Sequence, residues 1–78
     1  MKDIELKSRY GDIHILKHLE GNMYSPVCKN GYMRIIGKDP IHAIDFDGGP
    51  YLAVGDTVKE KKIKSIDIVG SGIILILE

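Results

Sequence analysis

Asp45 and Asp47 are the residues of this sequence whose types and spacing best suit chemistry. They are two positions apart, so on a strand their carboxylates share one face. Gly48-Gly49-Pro50 follows them, and consecutive glycines let the backbone approach a ligand closely. The pattern fits a contact with a ligand or a divalent cation, or a plain turn in which Gly supplies a positive φ. It does not fit a calcium loop, because Pro50 stands at the sixth position, where Gly is required.

Basic and aromatic residues flank this acidic segment. Tyr32, Arg34 and Lys38 precede it, Tyr51 follows it, and a basic run lies further along at residues 59–64. Aromatic rings stack on bases, and Arg and Lys neutralise phosphate. The alternative is a set of solubilising side chains on solvated loops. The candidate ligand-binding residues are therefore Tyr32, Arg34, Lys38, Asp45, Asp47, Gly48, Gly49, Tyr51, Lys61, Lys62 and Lys64.

Histidine and cysteine supply the other reactive side chains. His14 and His18 would lie about 13 Å apart on a strand, and no second Cys or carboxylate stands beside them at ligand spacing. We therefore interpret both histidines as solvent-side residues. Nothing around Cys28 resembles the setting that activates a thiol nucleophile. We predict no metal and no cofactor, and a small hydrolase that uses Asp45 and Asp47 with a metal is the third-ranked alternative.

The C-terminal segment is the element around which the others must pack. Residues 63–69 and 73–77 are two β-rich runs separated by Gly70-Ser71-Gly72, a pattern typical of a β-hairpin. The second run is Ile-Ile-Leu-Ile-Leu, so neither face of that strand carries a polar side chain. Such a strand requires burial on both faces, inside a barrel, between two sheets or in an interface between subunits.

The earlier segments are short apolar stretches separated by turn residues. Residues 13–19 fit a strand with Ile13 and Ile15 facing inward, although a helix remains open there. Pro26 cannot donate a ladder hydrogen bond, so we place its strand at an edge or a bulge. Asn30-Gly31 predicts a tight hairpin turn. Further strands are predicted at residues 3–9, 23–28, 32–36, 41–46, 51–54 and 57–58, and a charged loop at residues 59–62.

Composition indicates an all-β domain. The chain has 13 Ile and 4 Val against 2 Ala and no Trp, and β-branched residues suit strands. Gly55-Asp56-Thr57-Val58 resembles the turn that leads into a strand in many small barrels of the SH3-like kind. We predict a single domain over residues 1–78, folded as a small barrel, SH3-like or similar, or as a compact two-sheet sandwich of about seven short strands.

The totals restrict the classes of function. Lys and Arg number 11, as do Asp and Glu, so the formal net charge is zero. A generic nucleic-acid binder needs a positive field and is not expected. The single Cys and the polar N-terminus favour a cytoplasmic protein, and no apolar run is long enough to span a membrane.

By elimination, we predict a non-enzymatic binding protein. Its ligand would be a small anionic, nucleotide-like molecule that also contacts the Gly48 and Gly49 amides. The alternative is a protein–protein interaction module, such as an inhibitor or an assembly subunit. The small size and the apolar C-terminal strand predict a homo-oligomer, with the ligand held at a subunit interface. Small proteins of this type are often encoded by bacteria, phages or mobile elements.

Overall fold

The computed structural model describes residues 3–28 and 32–78. This part of the chain folds as strands without a helix, which confirms the all-β prediction. The predicted Asn30-Gly31 turn lies outside the described residues. Within them, no helix is available that could cross a membrane. The strands are β1 (Ile4–Lys7), β2 (Ile13–Glu20), β3 (Met23–Val27), β4 (Met33–Gly37), β5 (Ile41–Phe46), β6 (Tyr51–Ala53), β7 (Thr57–Val58), β8 (Lys61–Val69) and β9 (Gly72–Leu77).

Two antiparallel sheets form the domain. Six strands in the order β1-β2-β3-β9-β8-β7 make a sheet that curls into half a barrel. The remaining three, in the order β4-β5-β6, make a smaller sheet. Apolar side chains from both sheets form one core: Ile4, Leu16, Tyr24, Ile41, Ile44, Phe46, Leu52, Val58, Ile63, Ile66, Leu75 and Leu77.

The C-terminal hairpin forms as predicted. Val69 pairs with Gly72, so β8 and β9 are joined by a two-residue turn, and Gly70 adopts a φ of 60°, which suits Gly. Leu75 and Leu77 are fully buried, whereas the alternate residues of β9 are only half-buried. The expected burial on both faces is therefore met on one face alone, because within the described residues no further layer covers the outer face of the larger sheet.

The ambiguous segment at residues 13–19 forms strand β2, as predicted, and not a helix. The two faces of this strand are reversed relative to the prediction. Ile4 of β1 pairs with Leu16, and both are buried together with His14. Ile13 is 43% exposed, and Ile15 is half-buried. The prediction that Ile13 and Ile15 face the core and His14 faces solvent is wrong. Pairing with β1 decides the face, because a shift of one residue exchanges every side chain of a strand.

Two smaller predictions are also corrected. Strand β3 lies inside the larger sheet, between β2 and β9, and not at its edge. Its pairing with β9 joins only Met23 to Ile76 and Tyr24 to Leu75, so Pro26 lies beyond it, where no N–H is needed for that ladder. In the predicted loop at residues 59–62, Lys61 and Lys62 instead begin β8.

Candidate functional site

A cavity of about 280 Å³ opens between the β1–β2 turn and the smaller sheet. Ligand cavities for drug-sized molecules hold roughly 300–1,000 Å³, so this one suits a small ligand. Six of the predicted ligand-binding residues line it: Tyr32, Arg34, Asp45, Asp47, Gly48 and Gly49. The other lining residues are Phe46 and two that the sequence analysis did not select, Arg9 and Tyr10.

One row of paired residues crosses the smaller sheet beside this cavity. Arg34 of β4 pairs with Asp45 of β5, and Asp45 pairs with Tyr51 of β6. Directly opposite residues of antiparallel strands project from the same face. Arg34 Nη2 donates a hydrogen bond to Asp45 Oδ2 at 2.8 Å. This bond and the carboxylate charge raise the pKa of Arg34 above its ordinary value, so the guanidinium remains charged.

The loop at residues 47–50 is held by backbone hydrogen bonds. Asp47 N–H donates to Tyr32 O at 2.8 Å, and Gly49 N–H donates to Phe46 O at 2.7 Å. Gly48 and Gly49 have φ values of 80° and 86°, which only glycine adopts readily. The turn interpretation of this segment is therefore confirmed. The Gly49 amide is thus hydrogen-bonded within the loop, and its contact with a ligand stays a prediction.

Arg9 and Tyr10 lie in the turn between β1 and β2, so they are the part of the larger sheet's connections that lines the cavity. Arg9 donates to Gly48 O through its backbone N–H at 2.9 Å and through Nε at 3.3 Å. The Tyr10 ring lies against Gly48, where an added Cβ would be 2.6 Å from Tyr10 Cδ2. Buried Ser8 fixes this turn, because its Oγ accepts hydrogen bonds from the amides of Tyr10 and Asp12 at 3.1 Å. Gly48 is thus the point of contact between the two sheets at this site.

The tyrosines are distributed unevenly between core and surface. Tyr24 is buried, whereas Tyr10, Tyr32 and Tyr51 are 68%, 61% and 54% exposed. Tyr10 and Tyr32 line the cavity, and Tyr51 pairs with a residue that lines it. Exposed aromatic rings beside arginine are suited to stacking on planar groups and to cation–π contacts.

The cavity lining contains two arginines and two aspartates, and the two arginines differ in their partners. Asp45 neutralises Arg34 through the 2.8 Å ion pair. The Arg9 guanidinium bonds a carbonyl oxygen and forms no ion pair with a carboxylate of the described residues. For the hydrolase alternative, residues 3–28 and 32–78 contain no group of three or more metal-ligating side chains. The cavity lining presents two guanidinium groups and two exposed tyrosine rings, groups that suit contacts with an anion and with a planar molecule.

His14 packs against Phe46, a residue that lines the cavity. Its ring stacks on Phe46 with the centroids 4.7 Å apart and an interplanar angle of 12°. It is fully buried, and neither ring nitrogen has a hydrogen-bond partner among the described residues. The face of the His14 ring therefore packs against the Phe46 ring and holds it in place.

The predicted lysines are not brought to the cavity. Lys61 and Lys62 pair with Val58 and Thr57 in the β7–β8 hairpin. Lys38 and Lys64 line a separate groove along β8. The basic residues therefore contribute to different surfaces, although the sequence analysis grouped them with the aromatic and acidic residues.

Comparison of the chain with protein-family models, with curated proteins and with solved structures gives no match. The geometry of the site is therefore the basis of the functional proposal.

Proposed function

We propose that this protein is a non-enzymatic binding protein that holds a small anionic ligand with an aromatic ring, such as a nucleotide, in the cavity beside Gly48. The observation that carries the proposal is that exposed Tyr10 and Tyr32 line the same small cavity as Arg9 and Arg34. Rings stack on a base because every base has a π face, and guanidinium groups bind phosphate through paired N–H donors.

Each side chain has a separate role in this proposal. Arg9 offers a guanidinium without a carboxylate partner among the described residues and is the primary anion contact. Arg34 is a second contact whose partner, Asp45, must give up its bond for a phosphate to replace it. Tyr10 and Tyr32 contact the planar part of the ligand. The cavity volume of about 280 Å³ is close to the lower end of the range for ligand cavities, which favours a ligand of mononucleotide size over a larger one.

Isothermal titration calorimetry with the four ribonucleoside monophosphates tests the proposal. We expect at least one to bind, and we expect its uncharged nucleoside to bind about tenfold more weakly or worse, because an ionic hydrogen bond is lost. Arg9→Gln should weaken binding by a similar factor, and Tyr32→Ser should weaken it independently. Lys62→Gln, which removes one positive charge in the β7–β8 hairpin, is the matched control. Equal affinity of wild type and both cavity variants would refute the proposal.

We also propose that the protein acts as a homo-oligomer, with the ligand enclosed between subunits. The support is that Tyr10 and Tyr32 are more than half exposed in one chain, so a second copy placed over the cavity would cover them. Native mass spectrometry of protein purified without chelators tests this. An oligomer that carries additional mass of nucleotide size would support both parts, and a monomer at micromolar concentration would refute the oligomer.

A further inference from the structure

Strand β8 extends well beyond the strand that pairs with its outer side. It has nine residues, whereas β7 pairs only Thr57 with Lys62 and Val58 with Lys61. The preceding turn extends this contact by one residue, since Ile63 N–H donates to Asp56 O at 2.8 Å. Beyond Ile63, no strand of residues 3–28 or 32–78 pairs with the side of β8 that faces away from β9.

The hairpin turn determines which backbone groups point to this free edge. Val69 and Gly72 flank the two-residue turn and form the first pair of the ladder, which is a hydrogen-bonded pair in such hairpins. Pairs then alternate, so Asp67 and Ser65 also bond to β9. The N–H and C=O groups of Ile66 and Ile68 therefore point away from β9, toward the free edge.

A groove runs along this edge, and β8 forms one of its walls. It consists of two adjoining cavities of about 310 and 170 Å³, both lined by Pro40, Ile41, Ile66 and Asp67. One continues to Lys38 and Ile68, and the other to Lys64, His42 and Val54. The groove, hereafter the β8 groove, thus follows β8 from residue 64 to residue 68 and lies at the seam between the two sheets.

We propose that the β8 groove binds an extended peptide segment of a partner protein, which adds to β8 as a further antiparallel strand. Sheet edges bind peptides in this way through main-chain hydrogen bonds. Residues 64–68 span about 13 Å, the length of a five-residue extended segment. The loop at residues 37–40 forms the opposite wall, so a peptide paired with β8 would lie between β8 and this loop.

Exposed apolar residues leave this edge only partly protected against pairing with another chain. Natural edges carry charges, bulges or prolines that prevent pairing with other chains. Here Ile68 and Val69 are 58% and 59% exposed, and residues 65–69 pair regularly with β9. The register shift of β8 falls earlier, between Ile63 and Ser65. Within residues 65–69, Asp67 is the one charged side chain, so this part of the edge is weakly protected.

Charge along β8 defines the peptide that fits. Lys64 lies at one end of the groove and Asp67 near the other, with Ile66 between them. In an antiparallel arrangement, a complementary segment has an acidic residue opposite Lys64, a basic residue opposite Asp67 and apolar residues opposite Ile66 and Ile68. The peptide sequence that meets these requirements, from N- to C-terminus, is Val-Lys-Val-Thr-Glu.

The test is an NMR titration of the ¹⁵N-labelled protein with acetylated and amidated Val-Lys-Val-Thr-Glu. We expect saturable shifts of the Ile66 and Ile68 amides. Ile68→Pro removes one N–H from the free edge and should weaken binding about tenfold. The control, Ile68→Thr, keeps this N–H and should bind more tightly than the proline variant. Absence of shifts at millimolar peptide, or equal binding by both variants, would overturn the proposal.

A charge exchange provides a second test that does not depend on proline. The peptide Val-Glu-Val-Thr-Lys should bind the wild type more weakly than the first peptide, and the double variant Lys64→Glu, Asp67→Lys should reverse this preference. An unchanged preference would contradict the assigned register. Shifts of the same amides that depend on protein concentration without peptide would assign the edge to a second copy and overturn the peptide assignment.

Discussion

Arg34 and Asp45 face each other across β4 and β5, and the 2.8 Å bond between Nη2 and Oδ2 lies in the lining of the cavity. One of the two arginines at the site is therefore already neutralised by a neighbour. Any anionic ligand that uses Arg34 must compete with Asp45, whereas one that uses Arg9 need not. Under the proposed function, Asp45 would therefore compete with an anionic ligand for Arg34, whereas the sequence analysis grouped Asp45 with the ligand-binding residues.

Asp45→Asn should therefore increase affinity for a nucleoside monophosphate. The change removes a negative charge from the lining and frees the Arg34 guanidinium, and we expect Kd to fall by about three- to tenfold. Calorimetry measures this directly. Asp67→Asn changes the net charge equally but lies in the β8 groove, so it should leave Kd nearly unchanged. An equal gain in both variants would attribute the effect to overall charge.

Gly48 and Gly49 form a matched pair for testing the contact with Tyr10. Their φ values are 80° and 86°, so Ala at either position introduces backbone strain of about 1–2 kcal/mol. An added Cβ at Gly48 would also lie 2.6 Å from the Tyr10 ring, whereas an added Cβ at Gly49 would have no atom of the other described residues within 4 Å apart from its chain neighbours. Gly48→Ala should reduce stability further and should also displace Tyr10. Urea denaturation and the chemical shifts of Tyr10 measure both effects, and identical behaviour of the two variants would contradict the contact.

Replacement of His14 by an apolar residue should stabilise the protein. Both ring nitrogens are buried without a partner among the described residues, and an unsatisfied buried polar group costs about 1–3 kcal/mol. His14→Leu should raise the free energy of unfolding by an amount of this order in urea denaturation. His18 is the control, because its Nε2 lies 2.9 Å from Gly21 O, and His18→Leu should give no gain. A loss of stability on His14→Leu would show that the ring nitrogens are bonded in solution.

The two faces of β9 should differ in their sensitivity to truncation. Leu75 is fully buried, and Leu75→Ala should cost about 2–5 kcal/mol through lost burial and the remaining cavity. Ile74 is half-buried on the opposite face, and Ile74→Ala should cost about 1 kcal/mol. Chemical denaturation compares them at several protein concentrations. Similar, concentration-dependent costs would indicate that the outer face of β9 is also buried, as in an oligomer.

Much of the fold follows from local patterns in the sequence. The Gly70-Ser71 turn between two apolar runs predicted the β8–β9 hairpin, and glycine-rich breaks predicted most strand boundaries. The face of β2 was not predictable in this way, because Ile13 and His14 begin two equally plausible alternations. The choice between them depends on which residues of β1 lie opposite, a long-range pairing that a local pattern does not encode.

The candidate site was predictable where its residues are close in the sequence. Asp45, Asp47 and the glycines form one loop, and Tyr32 and Arg34 lie on or beside the adjacent strand β4. Arg9 reaches Gly48 across 39 positions, and the sequence pattern assigned it only to the strand predicted at residues 3–9. The sequence Arg9-Tyr10, a cation beside an aromatic residue, was the available signal. The predicted lysines lie on other surfaces, which the sequence did not reveal because charge alone does not specify the surface to which a side chain contributes.

The attachment of Arg9 to Gly48 has a kinetic consequence. One wall of the cavity belongs to the turn after β1, which lies at the edge of the larger sheet and, among the described strands, pairs with β2 alone. The other wall belongs to the smaller sheet. Edge strands and their turns open more easily than the rest of a domain. A ligand held between these walls would restrain their separation, so its residence time would be set by the fraying rate of the N-terminal strand. Amide hydrogen exchange in β1 would then slow on binding, although β1 itself makes no contact with the ligand.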